Sequence, residues 1–161
     1  MTRPNWDEYY LGITKAVAAR ADCSRRKVGA ILVTQYNRHK GSGYNGGISG
    51  GPSCLAGQCP RGQSTVAPGS SYDTGVGSCI AVHAEQNVIL ESSPADRING
   101  TIYITDEPCD GCLRMLQASG VKRMVWPEGE WLHVTNGYIK GRGMYKTGWN
   151  KITNAKLLKD I

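Results

Sequence analysis

Two short stretches constrain this chain more than anything else in it. Residues 79–87 read Cys-Ile-Ala-Val-His-Ala-Glu-Gln-Asn and set His83 and Glu85 two apart inside an apolar run. Residues 106–112 read Asp-Glu-Pro-Cys-Asp-Gly-Cys, with Cys109 and Cys112 three apart where a strand pattern gives way to a helical one. Residues at i and i+3 share a helix face, so both sulfurs can reach one point. Alone, a His-x-Glu is mostly coincidence, and a Cys-x-x-Cys is equally a redox pair or a zinc knuckle. Together, each opening a helix, they ask for a fold that brings two helix starts to one place.

An imidazole and two thiolates supply three of the four ligands that zinc takes, leaving one position for water, as catalytic zinc sites do. His83, Cys109 and Cys112 are therefore the expected metal ligands. The thiolates make such a centre anionic, and two helix N-termini aimed at it offset part of that charge. Glu85 is then an acid–base group beside the metal and not a fourth ligand.

The rest of the chain is read around these motifs. Asn5 followed by Glu8 makes a capping box, and Trp6, Tyr9, Tyr10, Ile13 and Val17 recur at helical spacing, which predicts a helix over 6–20. Residues 28–33 read as a strand, 35–40 as a turn, and Gly41–Tyr44 as the start of an antiparallel partner. From Asn45 to Ser78 regularity stops: the stretch is glycine-rich, holds prolines at 52, 60 and 68, and carries Cys54 and Cys59. So long an irregular stretch in a small domain is usually functional or pinned by something. A helix over 80–92, a strand over 101–105, a helix over 109–119 stopped by Gly120, and a strand over 122–126 follow, with a short helix expected at 154–161. This order predicts an α/β domain of three layers, α-β-α, with a mixed central sheet. With 161 residues and no internal repeat, the chain is expected to be a single domain over 1–161 with an insert at about 45–78.

Composition narrows the setting. The charge is 19 − 13 = +6, but no run of like charge reaches the length of a nucleic-acid tail, so nucleic acid is not the expected partner. The N-terminus has no hydrophobic signal region, and no segment approaches about 18 apolar residues, so no membrane association and a cytoplasmic location are expected. In that reducing setting the six cysteines are thiols or metal ligands before they are disulfides. The chain has no Phe, so Tyr and Trp fill aromatic core positions. Trp126, Trp131, Tyr138 and Tyr145 are read as core, His39 and His133 as surface residues, and Arg114, Lys122 and Arg123 as solvated.

In this order the two motifs resemble those of the cytidine/deoxycytidylate deaminase superfamily, a pattern general to zinc nucleobase deaminases. Cys23–Val33 (Cys-Ser-Arg-Arg-Lys-Val-Gly-Ala-Ile-Leu-Val), Gly43–Gly47 (Gly-Tyr-Asn-Gly-Gly) and the run from Tyr103 to Trp126 carry a closer likeness to its deoxycytidylate (dCMP) deaminase branch. The resemblance covers roughly residues 6–126. It implies a cytidine deaminase-like fold and zinc-dependent hydrolysis of dCMP to dUMP and ammonia, with Glu85 carrying protons. It also implies that the Ala84 amide orients the base, that Asn45 meets the sugar hydroxyl, and that Arg25 orients the substrate or contacts its phosphate. A homo-oligomer with dCTP and dTTP as effectors comes with the same resemblance.

Other readings stand beside this one: a deaminase of dCTP or of a 5-substituted dCMP, a nucleic-acid deaminase, and a zinc-stabilised binding module without catalysis. The glycine-rich insert looks built to enclose a mononucleotide, and a purely structural site needs no acid at Glu85. The four remaining cysteines, Cys23, Cys54, Cys59 and Cys79, bracket and occupy the insert. They are read as a second, non-catalytic zinc site that pins it; the alternative is two small buried hydrophobes and two free thiols.

Overall fold

A hydrogen-bonded capping box starts the first helix, α1 (Trp6–Ala18): the Asn5 side chain accepts from the Glu8 amide at 2.9 Å and the Glu8 carboxylate accepts from the Asn5 amide at 2.8 Å. The computed structural model describes residues 1–133 and 149–153. After α1 come β1 (Gly29–Val33) and β2 (His39–Tyr44), then the irregular insert, then α2 (Ala84–Glu91), a short α3 (Pro94–Arg97), β3 (Thr101–Ile104), α4 (Asp110–Ala118), β4 (Arg123–Trp126), β5 (Gly129–His133) and β6 (Trp149–Thr153).

The strands form one mixed sheet in the order β2-β1-β3-β4-β5-β6. Among the described residues only the β3–β4 pair is parallel, and α4 lies in the chain between them. All of β1 is buried, because alternate residues face two different cores. Ile31 and Val33 pack with Tyr10 and Leu11 of α1, with Tyr103 and with Val125. Ala30 and Leu32 pack on the other face with Ala84 and Val88 of α2 and Leu116 of α4. These are the expected three layers, α1 on one face of the sheet and α2 with α4 on the other.

Several boundaries differ from the expectation. α1 stops at Ala18, and β2 begins at His39 inside the expected turn, where it pairs with Val33. The helix expected from residue 80 starts at Ala84, because Val82 is held extended by a bridge to Gly46, with N···O distances of 2.8 and 3.2 Å. Chain position 120 has the expected helix-ending glycine, at φ +95°. α3, β5 and β6 have no counterpart in the sequence reading. The expected helix at 154–161 and the positions of Tyr138 and Tyr145 lie outside the described residues.

Trp126 and Trp131 are buried in the core as expected. His39 is exposed, but His133 is half-buried, with its ring 5.1 Å from that of Trp149. Arg114 and Lys122 are exposed; Arg123 is not a solvated side chain. It donates to both carboxylate oxygens of Asp7 at 2.7 Å and pairs with Glu130, so its side chain links β4 to the first turn of α1 and to β5.

Candidate active site

Both motifs place a donor immediately ahead of a helix. His83 is extended, at φ −71° and ψ 156°, as the N-cap of α2, and its backbone N–H donates to Gln86 Oε1 at 2.8 Å. Cys109 is likewise extended as the N-cap of α4, and Cys112 follows in the first turn. The seating of α2 is set from the sheet: Asn87 Nδ2 donates to the Tyr44 carbonyl at 2.8 Å. Gly43 allows that approach, since a Cβ there would stand 2.4 Å from the Ala84 oxygen and 2.9 Å from the Val88 nitrogen.

The result is a compact donor triangle. His83 Nδ1 lies 3.6 Å from Cys109 Sγ and 3.4 Å from Cys112 Sγ. Tetrahedral zinc, with its usual bond lengths to sulfur and nitrogen, separates the two donors by about 3.5 Å. Among the described residues, His83, Cys109 and Cys112 form the His/Cys/Asp/Glu group whose ligand atoms all lie within 4.8 Å of one another. The residues present fit a zinc ion.

The electrostatics of the triangle agree. Hydrogen bonds from Cys112 and His83 bring the Cys109 pKa down to about 3, whereas the Cys109 sulfur and burial push that of Cys112 well up. The hydrogen bond to Cys109 raises the His83 pKa against the effect of burial. Without metal the three groups thus share one proton pool, which binding would displace. Glu85, at 4% exposure, has its pKa raised by burial, with only partial relief from its own backbone N–H.

These groups open on a cavity of about 400 Å³, within the range of small-molecule sites. Ala84 and Asn45 line it with His83, Glu85 and Cys109. The Asn45 amide is partly engaged: Oδ1 accepts from the Val28 amide and Nδ2 donates to the Arg26 carbonyl, both at 2.8 Å. One lone pair and one N–H remain for a ligand. Arg25 also lines the cavity, and donates to the carbonyls of Val66 at 2.7 Å and Arg61 at 3.3 Å.

Cys23, Cys54, Cys59 and Cys79 line the same cavity, and all are free thiols. Cys54, Cys59 and Cys79 lie near enough for one sulfur to influence the ionisation of another. Burial opposes ionisation of Cys59, but the amides of Ile80, Gly62 and Arg61 outweigh it and lower its pKa. The four sulfurs neighbour one another without closing to the mutual distances of the His83 triangle. Cys54 and Cys59 are buried, whereas Cys23 and Cys79 are half-buried.

Sequence reasoning passed over three residues that shape this cavity. Arg26 lines it and pairs with Asp106 at 3.7 Å. Asp22 anchors the insert to the end of α1, accepting from Ser53 Oγ at 2.9 Å and from the amides of Leu55 and Cys54 at 3.0 and 3.2 Å. Arg61 is 4% exposed inside the insert. The available signal was a lone arginine among small residues, in a segment too poor in apolar side chains to order itself.

Residues 4–128 match the family model described as the cytidine and deoxycytidylate deaminase zinc-binding region. The deoxycytidylate deaminase of Mycobacterium phage D29 is 47% identical over 129 residues, 80% of this chain and 98% of that protein. The deoxycytidylate deaminase of Schizosaccharomyces pombe is 36% identical over 126 residues, 77% of this chain but 37% of that longer protein. Among solved structures, the dCMP deaminase of cyanophage S-TIM5 in apo form superposes with a TM-score of 0.57 at 26% identity, covering 78% of this chain and 84% of that one. With the motifs, the donor triangle and a family match that spans most of its length, the chain belongs to the cytidine and deoxycytidylate deaminase family.

Proposed function

We propose that this protein hydrolyses dCMP to dUMP and ammonia, in pyrimidine deoxynucleotide metabolism. The observation that carries this reading is the His83–Cys109–Cys112 triangle with Glu85 buried beside it on the wall of a nucleotide-sized cavity. The activity named for the phage relative, which this chain matches over nearly that protein's whole length, supports the choice of substrate.

Zinc, which His83, Cys109 and Cys112 would hold, would supply a water acidic enough to give up a proton near neutral pH. Glu85 accepts that proton and delivers it to N3 of cytosine, which makes C4 electrophilic. The hydroxyl left by that water adds to C4 as the C4–N3 π bond opens onto the protonated N3, and this hydroxyl later gives up the second proton. A second proton, passed through the same carboxylate to the exocyclic nitrogen, lets the C4–N bond break and ammonia leave. Water and dCMP are consumed, dUMP and ammonia formed, and Glu85 returns to its starting state. A carboxyl whose pKa is raised by burial suits a group that must hold a proton for part of each cycle. In this reading the Ala84 amide orients the base, Asn45 meets the sugar hydroxyl, and Arg25, which lines the cavity, orients the substrate or contacts its phosphate.

The reading extends further. Cys23, Cys54, Cys59 and Cys79 form a second, structural zinc site, a reading supported by their lining one cavity. Two zinc ions per chain by metal analysis are expected, and one would remove this site. Residues 1–161 make up one domain that assembles as a homo-oligomer, with dCTP and dTTP as effectors. A reducing cytoplasmic setting suits six cysteines none of which is in a disulfide; no helix among the described residues is long and apolar enough to cross a membrane.

Ammonia release from dCMP, CMP, dCTP, 5-methyl-dCMP, deoxycytidine and single-stranded DNA tests the function. The expected result is preference for dCMP, with kcat/KM at least ~10³ above that for deoxycytidine, because charge-assisted bonds to the phosphate are lost. Comparable rates on those two substrates would reassign the protein to nucleosides, and silence on all of them would favour a binding module.

A further inference from the structure

Among the described residues, Arg61 is the one guanidinium at the cavity that is nearly sealed from solvent, and every hydrogen-bond acceptor described for its side chain is neutral. Nη1 donates to the carbonyls of Ser71 and Gly77 at 2.8 and 3.2 Å; Nη2 donates to the carbonyls of Ser70 and Ala67 at 3.1 and 3.5 Å and to Ser70 Oγ at 3.0 Å. Burying a cation without a counter-anion is unfavourable unless its donors are satisfied. Here they are satisfied by the stretch of insert at 67–77, which wraps the guanidinium. The backbone closes the same loop, since the Arg61 amide donates to the Ser78 carbonyl at 3.0 Å and the Cys79 amide to the Tyr72 carbonyl at 2.8 Å.

The wrap has a product. Tyr72 stacks on the guanidinium, its ring centroid 4.2 Å from the Arg61 Cζ. The same ring meets the His83 imidazole at 5.0 Å between centroids, with an interplanar angle of 85°. A perpendicular aromatic pair at that distance is favourable and directional. Among the described residues, no hydrogen bond fixes the rotation of His83 from Nε2, the nitrogen remote from the sulfurs, where metal-bound histidines usually find support. Packing against the Tyr72 ring is the described contact that bears on the face of the imidazole and helps hold Nδ1 towards both cysteines.

We propose that Arg61 and Tyr72 are positioning residues for the metal ligand His83: Arg61 orders the insert and locks Tyr72, and Tyr72 fixes the imidazole. The insert is then more than a lid over the cavity. It is the outer support of the metal centre, supplied from a segment that contributes none of the three ligands. This inference rests on His83 being a zinc ligand, as the functional reading has it.

The test is retention of zinc against a chromophoric chelator, with the absorption bands of cobalt-substituted protein as a second readout. Tyr72→Phe keeps the ring and should match the parent. Tyr72→Leu keeps apolar bulk but not the ring; it should release zinc roughly tenfold more readily and shift the cobalt bands, as loss of an outer support for a ligand does. Arg61→Gln should resemble Tyr72→Leu, and the double variant should be no worse than either, because the two act in series. Should Arg61→Gln fail to fold, the two Tyr72 variants decide the matter. Parent-like zinc retention and cobalt bands in Tyr72→Leu would overturn the proposal, as would additive losses in the double variant. Neither readout uses turnover. A parent protein inactive on dCMP would leave this measurement standing, and an active one with an indifferent Tyr72 would sink the pair alone.

Discussion

Glu85 follows His83, one corner of the donor triangle, by two residues and is 4% exposed. Its neighbourhood includes the anionic Cys109 sulfur, which adds to burial in favouring the protonated carboxyl. A buried carboxyl so placed is poor for stability, and a chain needing only a structural metal gains nothing from it. Glu85→Gln preserves shape and removes the ionisable group. Turnover of dCMP is expected to fall at least ~10²-fold with zinc content and fold unchanged, because proton transfer is lost. Metal analysis beside the rate decides the role, since loss of zinc would make Glu85 a ligand. Cys109→Ser and Cys112→Ser, by contrast, should lose metal and activity together.

At the level of elements, the position of α2 decides whether His83 and Glu85 reach the cysteines on α4. That position depends on β2, the outer strand against which α2 is pressed. Gly43→Ala would drive a Cβ to within 2.4 Å of the Ala84 oxygen and 2.8 Å of the Asn87 Cβ, so backbone must move. The expected cost is about 1–3 kcal/mol of stability, seen as a lower Tm, with weakened zinc retention because Ala84 lies between His83 and Glu85. Gly41→Ala on the same strand is the control: its nearest neighbour would be the Val88 oxygen at 3.8 Å, an ordinary contact. Equal behaviour of the two variants would remove the seating role assigned to Gly43.

Across the whole molecule, one charge network ties α1 to the sheet. Asp7 accepts from Arg123 of β4 and from Tyr103 of β3 at 2.8 Å, and Arg123 also pairs with Glu130 of β5. Burial raises the Asp7 pKa, but the hydrogen bonds from Arg123 and Tyr103 outweigh it and hold the pKa below its ordinary 3.8. A carboxylate depressed on folding contributes stability above its unfolded pKa and loses it as pH falls through the folded value. Asp7→Asn should therefore cost about 2 kcal/mol at pH 7, the scale of a partly buried charge-assisted pair. The gap to the parent should narrow below about pH 4. Urea denaturation at a series of pH values measures it; a gap independent of pH would mean that the carboxylate charge is not the source.

What was legible in the sequence was local. The group of converging donors could be read because Cys109 and Cys112 are a helical i, i+3 pair and because His83, like Cys109, is followed at once by helical spacing. The α1 capping box and the buried β1 strand are likewise written within a few residues, where backbone geometry follows from side-chain type and period. The tertiary structure alone decided the rest. Asp7 and Arg123 are 116 residues apart, and nothing near either distinguishes a buried ion pair from two solvated charges. The start of α2 at Ala84 depended on Gly46, brought alongside Val82 by the sheet. Arg61 and Tyr72 lay in a segment without periodicity, and their meaning came from what they touch. Burial of a polar group is a property of the groups that surround it, and the chain assembles those from distant places.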